Sequence, residues 1–431
     1  MIEAAVSAFK LPDLRRKILF TLGLLVVFRL LAHVPIPGVD LEKLRVLFQQ
    51  SQLLGMFDLF SGGAMSTFSV AAMGVYPYIT ASIIMQLLIP VIPRLTELSK
   101  EGEFGRQRIN QYTHWLTVPL AALQGIGQVS LLQSQGIISN FDLLRLDTFL
   151  PSFAIVCSLV AGTVFLIWLG ELITEYGVGN GISIIIFSGI VARLPTLVGR
   201  LLGGTAVTNL AGLIAFAVLG LLTVAGIVVI QEGTRRIPVQ YARRVRGSRV
   251  YGGVSTHIPL KVNSAGMIPL IFAISVLISP SIVASYVALS PNPTVRSVAE
   301  FVVQLFQPTS LLYQVLYFWL VVAFTYFYTI VLFSQQNIAE NLQKTGGFIP
   351  GIRPGRPTAE YLNKVLMRIT LVGALFLGAV AVMPYFAGLL TGVTALNLSS
   401  TALLIVVGVA IDTMRQLEAQ LMMRHYEGFL R

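Results

Sequence analysis

FDLFSGGAMSTFSVAAMGVYPYITASIIMQLLIP, running from Phe57 to Pro90, decides how the rest of the chain is read. Its second part, about Ala72 to Ile92, is long and apolar enough to cross a bilayer as a helix. Its first part, Phe57 to Val70, is short, broken at Gly62-Gly63, rich in Ser and Thr, and carries Asp58. A full crossing needs roughly 20 apolar residues, so this piece reads as a re-entrant or half-inserted helix. Irregular backbone survives at membrane depth only where protein or a water-filled cavity surrounds it. The stretch therefore points to a cavity with a small segment seated in it and a helix lining its wall. Plain interfacial packing of a half-helix is the alternative, and on this stretch alone it ranks slightly ahead.

The composition places that cavity in a membrane. Of 431 residues, 55% are hydrophobic and 11% charged, against about a quarter charged in soluble chains. Mean hydropathy is +0.79. The N-terminus meets its first apolar run only after four basic residues and shows no A-x-A-like site, so no cleavable signal peptide is expected. A single cysteine, Cys157, excludes an intramolecular disulfide and a cysteine metal cluster; in its apolar setting it reads as buried packing.

Ten spans can be drawn, at about 18–34, 72–92, 112–132, 152–172, 182–202, 209–230, 263–286, 311–333, 365–389 and 399–420. Four Lys and Arg precede the first span, four lie in 93–111, seven in 231–262 and four in 334–364. The intervening segments 35–71, 133–151 and 287–310 hold two, one and one. Basic residues thus gather on the side shared by both termini, which the positive-inside rule makes cytoplasmic. Arg29 and Arg368 fall inside spans but near their ends, where snorkelling to the interface is the expectation. Glu171 and Asp412 lie towards the cytoplasmic ends. Ion-coupled transporters carry ionisable groups deep in their helices, so their scarcity here counts against active transport of small charged solutes. Ten spans divide into five and five, and an odd number per half would force the second half to be inverted. The turn between them, Leu194 to Asn209, holds one Pro and three Gly and suits a hinge.

Two cytoplasmic loops stand out. Alternation around Ile237-Pro238-Val239 and Val250-Tyr251 suggests a short β-ribbon carrying Arg235, Arg236, Arg243, Arg244, Arg246 and Arg249. Segment 334–364 has three prolines after Gly346-Gly347, so its tip reads as a stiff turn presenting Arg353 and Arg356. Such charge suits orientation or anionic lipid, but its extent favours a docking platform for an acidic or nucleic-acid-containing partner. Catalytic signals are missing. No Walker A pattern occurs, and Gly177-Val178-Gly179-Asn180-Gly181 lacks the lysine. His33, His114, His257 and His425 are dispersed, and neither Ser61 nor Ser188 has a histidine with a claim to pair with it.

These motifs add up to a resemblance. PIPGVD (35–40), LFSGGAMS (59–66), GVYPYITASIIMQLL (74–88), EGEFGRQRINQYT (101–113) and WLGELITEYGVGNGISIIIF (168–187) are joined by RRIPVQYARR (235–244), STHIPLKVNSAGMIPLIF (255–272) and GFIPGIRPGRPTAEYL (347–362). Together they resemble the SecY family, the central subunits of bacterial protein-conducting channels, over essentially the whole chain and in order. The tenth span departs, with Leu398-Ser399-Ser400-Thr401-Ala402 where the family often has Gly-Gly-Thr-Ser, which loosens its register by about one position.

The resemblance implies an all-α polytopic membrane protein of ten transmembrane helices. Two inverted pseudo-symmetric halves of five would surround a central hourglass pore, with a re-entrant plug helix. Residues 1–17 form the cytoplasmic N-terminal segment, 18–202 the N-terminal half with a plug at about 57–68, 203–420 the C-terminal half with loops 231–262 and 334–364, and 421–431 the cytoplasmic tail. The implied pore ring takes Val75, Ile79, Ile182, Ile186, Ile271 and Ile405. The plug takes Phe57, Asp58, Leu59, Phe60, Ser61, Gly62, Gly63, Ala64 and Met65. The lateral gate has Thr80, Ile83 and Gln86 on one lip, Ser275 and Ser279 on the other, and Asn180 as polar neighbour.

A passive channel in the bacterial cytoplasmic membrane is implied, translocating unfolded secretory polypeptides and releasing hydrophobic segments sideways into lipid. It is no enzyme and needs no cofactor. Implied partners are the small subunits SecE and SecG, the SecA motor ATPase, the ribosome with its RNA, signal peptides and nascent chains, and membrane lipid. Arg353 is the first choice for motor engagement, followed by Arg236 and Arg243. A secondary transporter and a membrane-embedded enzyme are the competing classes.

Overall fold

The computed structural model describes residues 11–50, 58, 61–138, 141, 145–192, 195, 199, 210–241, 244–246, 249–251, 255–288, 292–336, 338–391 and 399–427. Helix α1 (Pro12–Leu31) opens on proline, which gives up no intrahelical hydrogen bond there, and Asp13 sits at the positive end of the helix dipole. Helix α2 (Leu41–Gln50) follows. Residues 61–75 run as turns into α3 (Tyr76–Leu88), which has Pro77 in its first turn. Pro90 and Pro93 then break the chain, and α4 (Pro93–Lys100) meets α3 at 100°. Helices α5 (Glu103–Ser134) and α6 (Leu146–Tyr176) are long enough to cross a bilayer. Asn180 caps α7 (Gly181–Val191) by accepting from the Ser183 N–H at 3.1 Å.

Helix α8 (Leu210–Glu232) leads into β1 (Thr234–Tyr241), β2 (Arg244–Arg246), β3 (Arg249–Tyr251) and β4 (Ser255–Lys261). Then come α9 (Ile268–Val287), α10 (Pro293–Leu305), α11 (Leu311–Gln336), α12 (Ile338–Lys344), β5 (Gly347–Phe348), α13 (Arg356–Thr391) and α14 (Ser399–Glu427). Strand β1 is central in an antiparallel sheet of order β4-β1-β5, with Ile237 opposite Ile258 and Gln240 opposite Phe348. Ile237 and Val239 point to the same side and pack with Leu260, Leu342, Ile349 and Leu362. Strands β2 and β3 form a separate hairpin.

Two apolar clusters serve the halves. One joins Ile36, Leu44, Phe68, Val129 and Leu159; the other joins Ile227, Leu270, Tyr317, Leu377 and Leu404. A third draws from both, taking Phe28, Ile79, Leu166 and Ile186 on one side and Ile271, Phe272, Ile405 and Val409 on the other. The outside is apolar too: Trp115, Leu123, Leu150, Leu221, Val229 and Leu389 are all exposed, a surface suited to lipid. Each expected span overlaps a helix. Among the described residues, Glu103–Gln133, Asp147–Tyr176, Leu311–Lys344 and Arg356–Leu389 each qualify alone as spans by length and hydropathy, and α3 with α4 makes a broken one.

Close approach explains one glycine in α6. A Cβ on Gly162 would lie 1.9 Å from the Val70 carbonyl oxygen, so the turns after residue 61 rest directly on this helix. Gly162→Ala is expected to cost about 1–3 kcal/mol through overpacking against backbone, read as a lower thermal unfolding midpoint in detergent.

The structure revises several expectations. Helical geometry is present at Asp58, but residues 61–70 are turns, because Gly62 (φ 67°), Gly63 (φ 93°) and Phe68 (φ 41°) take left-handed conformations that stop a helix. Phe57, Leu59 and Phe60 lie outside the described residues, as do Arg243 and most of the interhalf turn. The second span starts at Tyr76 rather than Ala72, since Gly74 (φ 57°) interrupts it. Segment 93–111 is largely helical. Helix α13 begins at Arg356, so that residue starts a helix instead of standing on the loop tip. Cys157 is exposed on α6 rather than buried. Arg29 does not snorkel; its side chain binds two carbonyls inside the protein.

Candidate functional site

Where the two halves meet, five of the six expected ring residues line one cavity of about 560 Å³: Ile79 from α3, Ile182 and Ile186 from α7, Ile271 from α9 and Ile405 from α14. Val75, just ahead of α3, is fully buried and belongs to the same apolar cluster. Ile79, Ile186, Ile271 and Ile405 are buried, and Ile182 is half-buried. Ser82, Gln86, Asn180, Asn263, Asp412 and Arg415 also line the cavity, and several of these stand at the helix ends next to the β-sheet. The cavity thus has a polar part, the vestibule, and an aliphatic part. It offers no set of convergent ligands, and no group of His, Cys, Asp and Glu able to hold a metal occurs among the described residues.

One tie across the vestibule was not foreseen. Arg415 of α14 pairs with Glu232 of α8 at 2.8 Å and donates to the Gln231 carbonyl at 3.3 Å. Both partners are ordinary surface types at span ends, so no sequence signal marks them.

Beyond the constriction sits the segment around Asp58. Its carboxylate is buried and accepts from the Ser66 N–H at 2.9 Å and the Ser61 hydroxyl at 3.4 Å, while Ser61 Oγ accepts from the Met65 N–H at 3.0 Å. A buried carboxylate persists only with such partners, and here they fold the segment into a compact knot. The knot is tied to the end of α1 and the extended strip after it. Thr67 Oγ1 donates to Ala32 O at 3.0 Å, Ile36 N to Phe68 O at 3.0 Å, and Val70 N to Val34 O at 3.1 Å. Farther along, Arg29 Nη1 donates to Gly62 O at 2.8 Å and Nη2 to Ser188 O at 3.2 Å.

The expected gate residues are partly brought together. Helices α3 and α9 face each other, with Tyr76 and Ser275 as hydrogen-bond partners across the seam. Ile83 and Ser275 are buried, and Ser279 lies one turn farther along α9. Gln86 and Asn180 face the vestibule. Thr80 stands one turn after Tyr76; its hydroxyl donates to the Tyr76 carbonyl at 3.1 Å and accepts from Gln124 Nε2 of α5 at 3.4 Å.

The basic residues divide by setting. Arg235 and Arg236 are exposed on β1, and Arg244, Arg246 and Arg249 lie in the β2–β3 hairpin. Arg356 is held by Glu360 at 3.1 Å. Arg353 is exposed with no ionic partner among the described residues, and its carbonyl accepts from the Thr358 hydroxyl at 2.8 Å. Gly351 (φ 82°) and Gly355 (φ 103°) make the turn that holds it out.

A constriction without ligands beneath a vestibule agrees with what the comparisons find. Residues 69–414 match the SecY family model. The chain belongs to the SecY family. Protein translocase subunit SecY of Thermus thermophilus is 46% identical over 442 residues, covering 100% of this chain and 98% of that protein. A solved SecY protein, described as having a plug domain that stabilises the closed state of the translocation channel, matches with a TM-score of 0.61 at 18% identity, over 94% of this chain and 92% of that one. Sec61 in the canine ribosome-channel complex from the endoplasmic reticulum matches with a TM-score of 0.59 at 17% identity, over 94% and 92%. The fold is thus shared at 17–18% identity, while family membership and the apolar helices make the chain a multi-pass membrane protein.

Proposed function

We propose that this chain is the protein-conducting channel itself, working passively, with Val75, Ile79, Ile182, Ile186, Ile271 and Ile405 as its seal. Protein translocation is the function of the SecY family to which it belongs, a family of channels rather than enzymes. The observation supporting the residue assignment is that five of these aliphatics, from α3, α7, α9 and α14, line one cavity, with Val75 in the same buried cluster. A seal that passes every side chain cannot coordinate any one of them. Ile and Val repel water when idle and yield around a moving chain. The knot from Asp58 to Met65 acts as the plug on the outer side.

Helices α3 and α9 form the lateral gate in this reading, with Thr80, Ile83, Gln86, Asn180, Ser275 and Ser279 along it. A segment sampling lipid there stays or passes by its summed preference: an apolar residue gains a few tenths of a kcal/mol, and a central charge loses about 2.5–3.5. The basic β-sheet and the Arg353 turn dock the energy source, a ribosome or the SecA motor, since the chain shows no nucleotide motif. Arg235, Arg236, Arg243, Arg244, Arg246, Arg249 and Arg356 supply the surrounding charge. SecE and SecG complete the complex in the bacterial cytoplasmic membrane, with both termini cytoplasmic.

The test uses single cysteines at Ile79, Ile186, Ile271 and Ile405 in a Cys157→Ser background. A stalled secretory chain carrying one cysteine is expected to form disulfides at all four positions. Crosslinks confined to the loops would remove the ring assignment.

A further inference from the structure

Arg29 is an arginine inside a membrane helix whose cation bonds to backbone rather than reaching for the interface. Taking a charged group even partly out of water is costly, so its partners matter. Its planar fork reaches two carbonyls that belong to separate parts of the fold, Gly62 O in the plug and Ser188 O in α7. Charge-assisted bonds of this kind are roughly twice as strong as neutral ones, and an apolar setting strengthens them further. That setting is present: Leu22, Leu25, Val26 and Leu30 line the groove beside Arg29.

Steric fit lies at the same place. A Cβ on Gly62 would stand 2.8 Å from Gly189 Cα and 3.0 Å from Phe28 Cζ, so the plug turn is pressed into the angle between α1 and α7. The remaining external bonds of the segment have a different character. Ile36–Phe68 and Val70–Val34 are backbone pairs at its base, where the chain runs on into α3, and the neighbouring Thr67 hydroxyl donates to Ala32 O. These bonds lie beside the chain's continuation into α3, whereas the Arg29 bond to Gly62 holds the far turn of the segment.

We propose that Arg29 is the latch of the plug: its guanidinium holds Gly62 against α7 in the resting channel, and opening requires both bonds to break. Backbone pairs at 34–36 then serve as the hinge. The inference rests on the channel reading above and adds to it a positioning residue that sets how readily the channel opens.

Ala64 is fully buried in the knot and reports its position. In a Cys157→Ser, Ala64→Cys background, reconstituted with its partner subunits, a membrane-impermeant maleimide added from the outer side should label the introduced thiol slowly. Arg29→Gln is expected to raise that labelling at least tenfold and to admit cargo with a defective signal peptide. Secretion of normal cargo should continue. Arg29→Lys, with one ammonium in place of a fork, should fall between. If Arg29→Gln fails to accumulate, Gly62→Ala carries the same test, because its methyl pushes the carbonyl off Arg29. Unchanged labelling and unchanged signal dependence in either accumulating variant, beside a wild type that secretes, would overturn the latch and leave the channel intact. A wild type that moves no secretory chain would instead remove the reading on which the latch rests.

Discussion

Arg353→Glu is expected to abolish motor-driven secretion while leaving the protein inserted and folded. The residue projects from a turn fixed by Gly351 and Gly355 and by the Thr358 hydroxyl on its own carbonyl, so its position does not depend on the charge it carries. Nothing inside the chain neutralises it among the described residues, in contrast to Arg356 with Glu360. Losing one member of a desolvated charge pair costs roughly 2–5 kcal/mol, which converts to a drop of at least about thirtyfold in engagement, and charge reversal adds repulsion. Secretion into vesicles driven by the motor and ATP measures it. Wild-type rates from Arg353→Glu vesicles would show that the motor docks elsewhere. Arg356→Glu should be milder, because its side chain is already committed along α13.

Replacing Ile79, Ile186, Ile271 and Ile405 together by Ser is expected to make the resting channel leak ions. The four lie in one buried cluster from α3, α7, α9 and α14, and no polar ligand there would hold an ion back if water entered. A constriction that gates by dewetting loses its barrier when its lining becomes wettable, so single-channel recordings in planar bilayers should show resting conductance rising on the order of tenfold or more. Translocation itself should persist, since no catalytic group is removed. An electrically silent quadruple variant would place the seal somewhere else.

The parts of this molecule that were legible in sequence share a local cause. The spans follow from hydropathy, and each overlaps a helix. The β-ribbon follows from the alternation at Ile237-Pro238-Val239, which the structure turns into buried Ile237 and Val239 flanking exposed Pro238. The six ring residues were a different matter. Ile and Val four apart occur in every span, and only the motif match singled these out. The turn structure of the plug escaped because Phe68 adopts a left-handed φ, which no rule assigns to phenylalanine. Arg29 escaped for a related reason. Its partners are backbone carbonyls 33 and 159 positions away, and a carbonyl leaves no trace in the identity of the residue that bears it.

The short strand Gly347–Phe348 has a mechanical meaning out of proportion to its length. By pairing with Gln240 and Tyr241 it welds the loop after α8 to the loop before α13. Whatever grips the arginine at the tip of one therefore also holds the handle of the other. A load on either loop is therefore shared by α8, α9 and α13.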